Sequence, residues 1–493
     1  MSQSISRRSF VKGLAAAPLF VGVPSLLRGA GPLVRYEITS AQGMQMMAIY
    51  ADAVRKMQAM GPDNPMSWMW QWYTHFVDGA TTKSSEIVRI FGTGVTPGSS
   101  LANETWNTCQ SHAGQNSNHF MPWHRMFVFY FERIVRQVSG RPDFTLPYWE
   151  YTSSDPAKRG VVPAPFRLPT DPVFNCLYRA DRTTLANSGQ PIHKNQPTDV
   201  MDISAAMSCA NYSSVNSVMG FCRSIDSGIH GRIHVLVGTS KNMGAVPYAG
   251  RDPLFWVHHS NIDRLWESWN RNGGNNPVAT WGNTPFVFAD ADGVRASKPL
   301  KDFFSAQTLG YTYDSFVPKP AAPAGTASAT MMAKMAGAPE EIAQKRGDAN
   351  LGEKPVQVAL VRIAGTKPTA VLGFDPDQPE RRTYLVLRDL HTWTQPEVLF
   401  HIYLSPGQGV RMGPSTYVGN INFFDAEFHD HGNGAMGDVI GENFQSFDVT
   451  DILRRFARDG VSDAHNALVV TIAPAGRPAG GKPMIGRMTL VRQ

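Results

Sequence analysis

The chain has 493 residues, of which 42% are hydrophobic and 17% charged, and its formal net charge is +6. This composition excludes a disordered or fibrous protein and predicts a folded chain long enough for roughly two or three domains. Four of the basic residues lie in the first thirty positions, which contain no Asp or Glu, so the rest of the chain carries a net charge of only +2. That balance gives no electrostatic reason to expect nucleic acid or an anionic membrane as a partner.

The N-terminus resembles an export signal. Residues Ser6 to Lys12 read Ser-Arg-Arg-Ser-Phe-Val-Lys, which is similar to the twin-arginine motif, and a short apolar stretch follows from Gly13 to about Leu27. We predict a twin-arginine signal peptide over residues 1–30, export by the twin-arginine machinery and a periplasmic or secreted location. A basic amphipathic helix is the alternative. No other apolar run approaches the ~20 residues of a membrane-spanning helix, so no stable membrane anchor is expected.

Long amphipathic stretches alternate with Gly-, Pro- and Asn-rich loops from residue 31 to 316. Apolar residues recur at helical spacing within these stretches. The predicted helices are Thr39 to Met60, Pro65 to Val77, Met121 to Val138, Gly228 to Val237 and Asp252 to Asn270. The loops that join them are long, which is typical of functional loops.

The composition changes after this helical region. Residues 317–355 are rich in Pro, Ala, Gly and Lys, which predicts a linker, although a disordered insertion in one domain would look the same. Residues 356–493 contain short alternating runs bounded by turn residues, which predict an all-β domain, a small sandwich or barrel. Its strands are expected at Val356–Ile363, Thr383–Arg388, Glu397–Leu404, Leu468–Ile472 and Arg487–Val491.

The four cysteines are Cys109, Cys176, Cys209 and Cys222. None forms a C-x-x-C pair, so a zinc or redox motif is not supported. An oxidising compartment would permit disulfides, and Cys209 with Cys222 is the more plausible pair by loop length, but the sequence leaves the connectivity open.

Histidines are concentrated in the helical region. His230 and His234 are four residues apart, so both side chains project from one helix face. Asp252 begins a later predicted helix that presents His259 and, one turn on, Asp263. A metal-bound imidazole needs its other ring nitrogen held, and Asp263 would serve unless it anchors the helix through an ion pair. The three imidazoles predict a metal site.

A second group of histidines lies upstream. His124 stands near the start of a predicted helix, His75 ends an aromatic helical stretch, and His112 lies in a loop after Cys109. Because imidazole is the commonest metal ligand, these three histidines are candidates for a second site.

The motifs around these histidines resemble those of the tyrosinase family. Phe120 to Arg125 reads Phe-Met-Pro-Trp-His-Arg and resembles the family's copper A signature, and Asp252 to Asp263 resembles its copper B signature. Leu146 to Trp149 and Tyr311 to Tyr313 are similar to further family features. The resemblance covers residues 40 to 316, and the β-rich tail is more loosely similar to the C-terminal domain of plant polyphenol oxidases.

The resemblance implies a mainly α catalytic domain over residues 31–316, a four-helix bundle that houses a dicopper centre, followed by the all-β C-terminal domain. Two copper ions (Cu²⁺/Cu⁺) are expected, each on three histidines. By the family's pattern, copper A falls to His75, His112 and His124, and copper B to His230, His234 and His259, while His258 matches a neighbour that is not a ligand.

The middle copper A ligand departs from the family's pattern. Its usual place, about nine residues before His124, is Gln115 here. His112 is preferred because it follows Cys109 as the family's ligand follows its cysteine. His119 and an incomplete copper A site are the alternatives, and Cys109 is either a thioether to a copper A histidine or a plain thiol.

The resemblance implies an enzyme that uses dioxygen to oxidise phenolic small molecules to o-quinones, with ortho-hydroxylation of monophenols left open. Asp226 would hold a water that deprotonates the phenol. Gly231 lacks the amide that many hydroxylating members carry at this position, which weakens the case for hydroxylation. Val235 and Val246 would line the substrate pocket and favour catechols or simple uncharged phenols. An o-aminophenol oxidase and a hemocyanin-like dioxygen carrier, shielded by the β domain, are the competing hypotheses.

Overall fold

The computed structural model describes residues 31–75, 83–108, 116–276, 279–321, 338–366, 381–407, 412–427, 443–459 and 468–493. The predicted signal peptide, Cys109 and His112 therefore lie outside the described residues. Leu33 to Gln493 form one structural unit, helical in its N-terminal part and β in its C-terminal part, as the sequence predicts. Over the described ranges no helix has both the length and the apolar character needed to cross a membrane.

The N-terminal part is built from helices of very different lengths. They are α1 (Ala41–Gln58), α2 (Trp68–Tyr73), α3 (Lys83–Phe91), α4 (Pro97–Thr108), α5 (Phe120–Ser139), α6 (Thr184–Ser188), α7 (Ser204–Met207), α8 (Phe221–Ser224), α9 (Gly231–Val237), α10 (Val246–Ala249) and α11 (Pro253–Arg271). Short 3-10 turns lie at Ser117–His119, Ala164–Arg167, Asn175–Leu177, Thr280–Asn283, Leu300–Phe303 and Gln307–Leu309.

Side-chain caps define where the two predicted capped helices begin. The Ser40 hydroxyl accepts the backbone N–H of Gly43 at 2.9 Å before α1, and the Asp252 carboxylate accepts that of Leu254 at 2.9 Å before α11. Such caps satisfy backbone donors that have no partner inside the helix. Helices α1 and α11 both pack on the long helix α5.

Aromatic rings fill the space between these helices. The ring of Phe131 on α5 stacks on that of Trp256 on α11 at 3.5 Å between centroids, and Trp68 on α2 packs edge-on against Phe131 at 6.1 Å. Because these rings are large and fully or almost fully buried, they hold the three helices at fixed distances. The helical part therefore offers a rigid frame for side chains that point inward.

Small sheets close the helical part. Strand β1 (Leu33–Arg35) pairs in parallel with β4 (Tyr311–Tyr313), so the two ends of this part meet. Strands β2 (Pro285–Ala289) and β3 (Arg295–Pro299) form an antiparallel pair. The sequence analysis did not predict any of these four strands.

The C-terminal part is an eight-stranded antiparallel sheet with the order β10-β7-β12-β5-β6-β11-β8-β9. Its strands are β5 (Glu340–Asn350), β6 (Val356–Arg362), β7 (Thr383–His391), β8 (Phe400–Pro406), β9 (Tyr417–Ile421), β10 (Phe444–Asp448), β11 (Leu468–Pro474) and β12 (Met484–Arg492). The outermost strands β9 and β10 lie against each other, which gives the sheet a barrel-like form. One helix, α12 (Thr450–Arg458), accompanies the strands.

The structure corrects the predicted linker over residues 317–355. Strand β5 lies inside that range and pairs with β12 along its length, so the β sheet begins at Glu340 rather than at residue 356. Only Ile342, Ala343 and Ala349 of this strand are buried as apolar side chains. Because its other face is charged or polar, the alternation that identifies a strand was weak in the sequence. The remaining domain boundaries stay predictions.

The predicted helix from Gly228 to Val237 is interrupted. Residues Ile225–His230 form a π-helical turn in which Gly228 has φ −92° and ψ −113°, outside the helical region, and a regular helix, α9, starts only at Gly231. Irregular turns of this kind occur often at functional sites.

Candidate metal centre

Five predicted ligands converge in one buried histidine cluster. His75 follows α2, His124 lies on α5, His230 ends the π-helical turn, His234 lies on α9 and His259 on α11. Ring centroids are 4.4 Å apart for His124 and His259, 4.5 Å for His230 and His234, and 5.1 Å for His230 and His259. The ring of His75 lies 5.8 Å from that of His124. All five residues are at most 2% exposed.

Backbone carbonyls orient four of the five rings through Nδ1. The pairs are His75 with Val246 O at 3.2 Å, His124 with Phe120 O at 2.9 Å, His230 with Asp226 O at 3.2 Å and His234 with Met243 O at 2.7 Å. A carbonyl oxygen only accepts, so Nδ1 is the protonated nitrogen in each ring. The lone pair that can bind a metal is then on Nε2, as in many metal-bound histidines.

Burial keeps three of the five imidazoles neutral, those of His75, His124 and His259. It lowers the pKa of His75 to about 3. Burial first, and repulsion by neighbouring imidazoles second, hold the pKa of His124 and of His259 well below the usual value. Neutral imidazole is the form that binds metals, so the cluster is ready to act as a donor set near neutral pH.

The donor set fits copper. Both ring nitrogens of His259 are buried and have no hydrogen-bond partner among the described residues. Buried polar atoms left without a partner are costly, and a metal bound by several imidazoles removes that cost. His259, the predicted ligand in the copper B signature, therefore has ring nitrogens without a hydrogen-bond partner in the described part of the chain.

We call His75 and His124 the first half of the cluster, and His230, His234 and His259 the second half. A further histidine lies beside the second half. Potential ligand atoms of His230, His234, His258 and His259 all lie within 4.8 Å of one another. The ring of His258 is parallel to that of His230, with centroids 5.6 Å apart, and its nitrogens have no hydrogen-bond partner in the described ranges. The sequence analysis set His258 aside as a neighbour that is not a ligand, and spacing alone could not reveal this proximity.

Asp263 does not hold the ring of His259. Its carboxylate accepts hydrogen bonds from Arg35 Nη1 at 2.9 Å, from Arg125 Nε, from Tyr311 OH at 2.6 Å and from Tyr313 OH at 2.5 Å. Burial opposes ionisation, but the charges of Arg125 and Arg35 lower the pKa of Asp263. The prediction that Asp263 supports the ring of His259 is therefore wrong. The alternative, that Asp263 anchors its helix through ion pairs, agrees with these contacts.

Asp226 lies beside a predicted ligand and at the contact with the β sheet. Its Oδ1 is 3.2 Å from Nδ1 of His230, and its Oδ2 is 3.3 Å from Nη1 of Arg223. The same guanidinium contacts Asp425 Oδ2 at 3.1 Å and the amide oxygen of Asn443 at 2.7 Å. Burial raises the pKa of Asp226. Its predicted role of holding a water stays a prediction.

A short segment after β9, residues 422–425, covers the second half of the cluster; we refer to it as the cover segment. The ring of Phe424 stacks on that of His234, with centroids 4.0 Å apart and planes 8° apart, and meets His230 edge-on at 5.5 Å. Asn422 donates its side-chain N–H to Ser227 O at 2.8 Å. No sequence pattern singled out these residues, because each is an isolated position in a loop.

The predicted pocket residues have different surroundings. A Cβ atom at Gly231 would lie 2.3 Å from Oδ1 of Asn422, so the cover segment rather than open space adjoins this glycine. Val235 and Val246 are 3% and 2% exposed. The carbonyl of Val246 orients His75, whereas the predicted roles of both valine side chains toward a substrate stay predictions.

The described ring contacts of His119 are with other aromatic residues and not with the histidines of the cluster. Its ring packs against Trp281 at 5.7 Å and Phe286 at 5.6 Å, and burial lowers its pKa to about 4. The described contacts therefore do not support His119 as the third copper A ligand. The preferred residue His112, with Cys109, lies outside the described residues.

Cys209 and Cys222, the more plausible disulfide pair by loop length, are not joined in the structure. Both are free thiols, as is Cys176. The Cys222 thiol donates to Ser117 O at 3.2 Å, and burial raises its pKa to about 12.

Comparisons with known proteins agree with this geometry. Residues 66–272 match the family described as the common central domain of tyrosinase. Tyrosinase HcTyr1 of Hahella sp. (strain CCB-MM4) is 28% identical over 474 residues, which are 90% of this chain and 95% of that protein. A chloroplastic polyphenol oxidase of Malus domestica is 28% identical over 227 residues, 40% of this chain and 37% of its own length.

Solved structures extend the likeness of the fold to the β part. Latent apple tyrosinase superposes with a TM-score of 0.60 at 20% identity, covering 95% of this chain and 99% of that one. A functional unit of octopus hemocyanin gives a TM-score of 0.51 at 17% identity, covering 93% and 99%. The sequence matches and the buried histidine cluster together identify residues 66–272 as a common central domain of the tyrosinase family.

Proposed function

We propose that this protein is a type 3 copper oxidoreductase that uses dioxygen to oxidise phenols to o-quinones. The observation that carries the proposal is the convergence of five buried imidazoles from separate helical elements, at ring distances of 4.4–6.0 Å for neighbouring pairs. The Hahella relative, which is named a tyrosinase and aligns along nearly the whole of both chains, supports the same activity.

The finer proposal is that two copper ions bind. His75 and His124, completed by His112, would hold one ion, and His230, His234 and His259 would hold the other. Neutral imidazoles suit both oxidation states of copper. When bound, a pair of copper ions supplies the electrons that reduce dioxygen. The protein holds the rings in place through backbone carbonyls, so little rearrangement is needed on metal binding.

The surroundings of the second half of the cluster favour an aromatic, uncharged substrate. Phe424 lies flat on His234, and a phenol ring can make the same stacking contact once this side chain leaves. Val235 is apolar and carries no charge that would attract a carboxylate. We therefore propose catechols and simple phenols as substrates.

The described form is proposed to be latent. Phe424 occupies the face of His234 on which a phenol would stack, so turnover requires the cover segment to move. The solved apple tyrosinase that shares this fold is itself described as latent, which supports the proposal.

Copper content together with oxygen uptake tests the assignment. About two copper ions per chain and oxygen consumption with catechol are expected after the cover segment is displaced. His75→Ala should reduce activity at least about 100-fold, because it removes a ligand. His119→Ala is the matched control, since His119 is a buried histidine whose described ring contacts are with Trp281 and Phe286. Activity that survives His75→Ala but not His119→Ala would contradict the ligand assignment.

Two other functions remain in competition. The covering of His234 by Phe424 and the hemocyanin-like fold favour a dioxygen carrier, which would bind oxygen without oxidising catechol even when opened. An o-aminophenol oxidase would use the same cluster. Rates measured with catechol, tyrosine and o-aminophenol on the opened protein distinguish the three.

We also propose export by the twin-arginine pathway to the periplasm or beyond. Support comes from Ser6 to Lys12 and the apolar stretch that follows. Replacement of Arg7 and Arg8 by lysine should leave the protein in the cytoplasm, as measured by cell fractionation. Unchanged export would contradict the proposal.

A further inference from the structure

Gly231 stands at a position where the backbone does not require glycine. It is the first residue of α9, and its φ of −61° and ψ of −33° are those of an ordinary right-handed helix. Glycine destabilises a helix relative to alanine at such a position. The reason for glycine must therefore be sought in what surrounds it.

The space beside Gly231 is filled by a side chain from the β sheet region. An ideal Cβ on Gly231 would lie 2.3 Å from Oδ1, 2.7 Å from Nδ2 and 2.8 Å from Cγ of Asn422. Real Cβ atoms essentially never approach other atoms so closely, so a side chain at residue 231 and this placement of Asn422 exclude each other. We call the space beside the Gly231 Cα the notch.

Hydrogen bonds hold Asn422 in the notch. Its Nδ2 donates to Ser227 O at 2.8 Å, and its Oδ1 accepts the backbone N–H of Phe424 at 3.2 Å. Asn422 is only 1% exposed. Its short side chain cannot swing away from a new methyl group without giving up buried hydrogen bonds, which is costly.

The interrupted helix prepares the acceptor for this contact. Gly228 departs from helical geometry directly after Ser227, within the π-helical turn that leads to His230. The Ser227 carbonyl in that turn accepts the hydrogen bond from the Asn422 amide. Gly228 and Gly231 thus both contribute to the placement of Asn422: Gly228 lies in the turn that presents the acceptor, and Gly231 leaves the notch open.

Asn422, when it lies in the notch, also positions Phe424. Because Oδ1 of Asn422 accepts the Phe424 N–H, the aromatic ring that stacks on His234 is tied to the side chain in the notch. Arg223 provides a second attachment through Asp425, the last residue of the cover segment. Loss of the notch would therefore loosen the residue that covers His234.

We propose that Gly231 and Asn422 form a lock that controls access of phenols to the histidine cluster. The missing side chain at residue 231 admits the asparagine, and the asparagine holds Phe424 over His234. Residue 231 therefore determines whether the cover segment can close, rather than contacting the phenol itself. The importance of this lock for turnover rests on the proposed phenol oxidation.

A double-mutant cycle on the full-length, copper-loaded protein tests the lock. The variants are Gly231→Ala, Asn422→Ala and the combination of both. Hydrogen–deuterium exchange of the Phe424 amide measures closure, catechol oxidation measures access, and copper per chain shows that each variant is loaded. The exchange measurement does not depend on the proposed activity.

Gly231→Ala should raise the exchange rate of the Phe424 amide and the catechol oxidation rate by about tenfold, the change that corresponds to roughly 1.4 kcal/mol. Asn422→Ala should also speed exchange, because the hydrogen bonds are lost. In the Asn422→Ala background the notch is empty, so adding Gly231→Ala should change neither rate by more than about twofold.

Other outcomes would overturn the lock. They are a Gly231→Ala protein that exchanges like the wild type, an Asn422→Ala protein that does so, or effects of Gly231→Ala that are equal in both backgrounds. If the exchange pattern appears as expected but no variant oxidises catechol, the lock stands as a structural contact and the proposed function fails.

Discussion

The two halves of the histidine cluster have different neighbours. His75 packs against Trp123, Phe127 and Phe255, all from the helical part. His230 and His234, in contrast, both contact Phe424 of the cover segment. The helices thus build the first half by themselves within the described residues, whereas the second half is shared with the β sheet region. Substitutions in the β region should therefore affect the surroundings of His230 and His234 before those of His75.

Acid should destabilise the metal-free protein, because burial lowers the pKa of His75, His124 and His259, and this is the largest effect we expect. The folded-state pKa of His75, about 3, is below the unfolded value of about 6.5, so the unfolded chain binds more protons between these values. Stability is then lost as the pH falls from about 6.5 toward 3, by up to about 1.4 kcal/mol per pH unit for each such histidine. Denaturant unfolding at several pH values measures this slope.

Replacement of His75 by Phe in the metal-free protein should reduce that slope by about one proton. Copper should delay acid unfolding, because it binds only the folded, deprotonated cluster. A slope that is unchanged by His75→Phe would argue against a neutral buried imidazole at this position.

Asp263→Ala should weaken the two halves together. It removes the carboxylate that joins Arg35 and Arg125 to α11, and leaves buried guanidinium groups with fewer partners. Breaking a buried ion pair from one side costs about 3–5 kcal/mol of unfolding free energy. Asp143→Ala is the control, since its pair with Arg141 is half exposed and should contribute at most about 1 kcal/mol. Equal losses in the two variants would refute the anchoring role.

Asp425→Ala should act on the second half only. Its carboxylate joins the cover segment to Arg223 and is 4% exposed, so we expect a loss of about 1.5–3 kcal/mol in the closing of this segment. Hydrogen exchange of residues 417–427 measures the loss. Glu353→Ala breaks an exposed pair with Arg477 elsewhere in the β region and should change nothing beyond about 0.5 kcal/mol. The comparison fails if exchange around His75 increases as much as exchange around His234.

Phe424→Ala should have a clear effect on access, because it removes the ring that stacks on His234. A stacked aromatic pair contributes about 0.5–1.5 kcal/mol beyond its buried area, so catechol oxidation should rise roughly two- to tenfold in the full-length protein. Phe447→Ala is the control, because Phe447 packs against β9 at Gly419. A larger rise for Phe447→Ala would show that general loosening of the β region, and not the ring on His234, limits access.

The sequence predicted the helical frame and histidines that lie close together in the structure, but not the contacts that hold them in place. Ser40 and Asp252 marked two helix starts, and the spacing of His230 and His234 predicted a shared face. These signals are local. Two partners of Asp263 are Arg35 and Tyr313, which are 228 and 50 residues away in the sequence. No local pattern could therefore show whether Asp263 anchors its helix or holds the ring of His259.

The contacts between the cover segment and the second half of the cluster could not be predicted from the sequence for a related reason. Asn422 and Ser227 are 195 residues apart, and Asn422 lies in a loop without periodicity. The sequence of strand β5 predicts a linker rather than a strand because its exposed face is polar. What sequence spacing reveals is which side chains share an element, whereas the closure of the site depends on where separate elements meet.

Arg35 joins the start of the helical part to residues far along the chain. Arg35 is fully buried and contacts Glu132 at 2.8 Å, Asp263 at 2.9 Å and Tyr313 OH at 3.0 Å, the last from 278 positions further along the chain. Contacts between such distant residues slow folding, because a long loop must be closed before they form. Arg35 lies only a few positions beyond the predicted signal. Removal of the chain up to and including Arg35 should therefore leave Glu132 and Asp263 with fewer buried partners and destabilise the helical part.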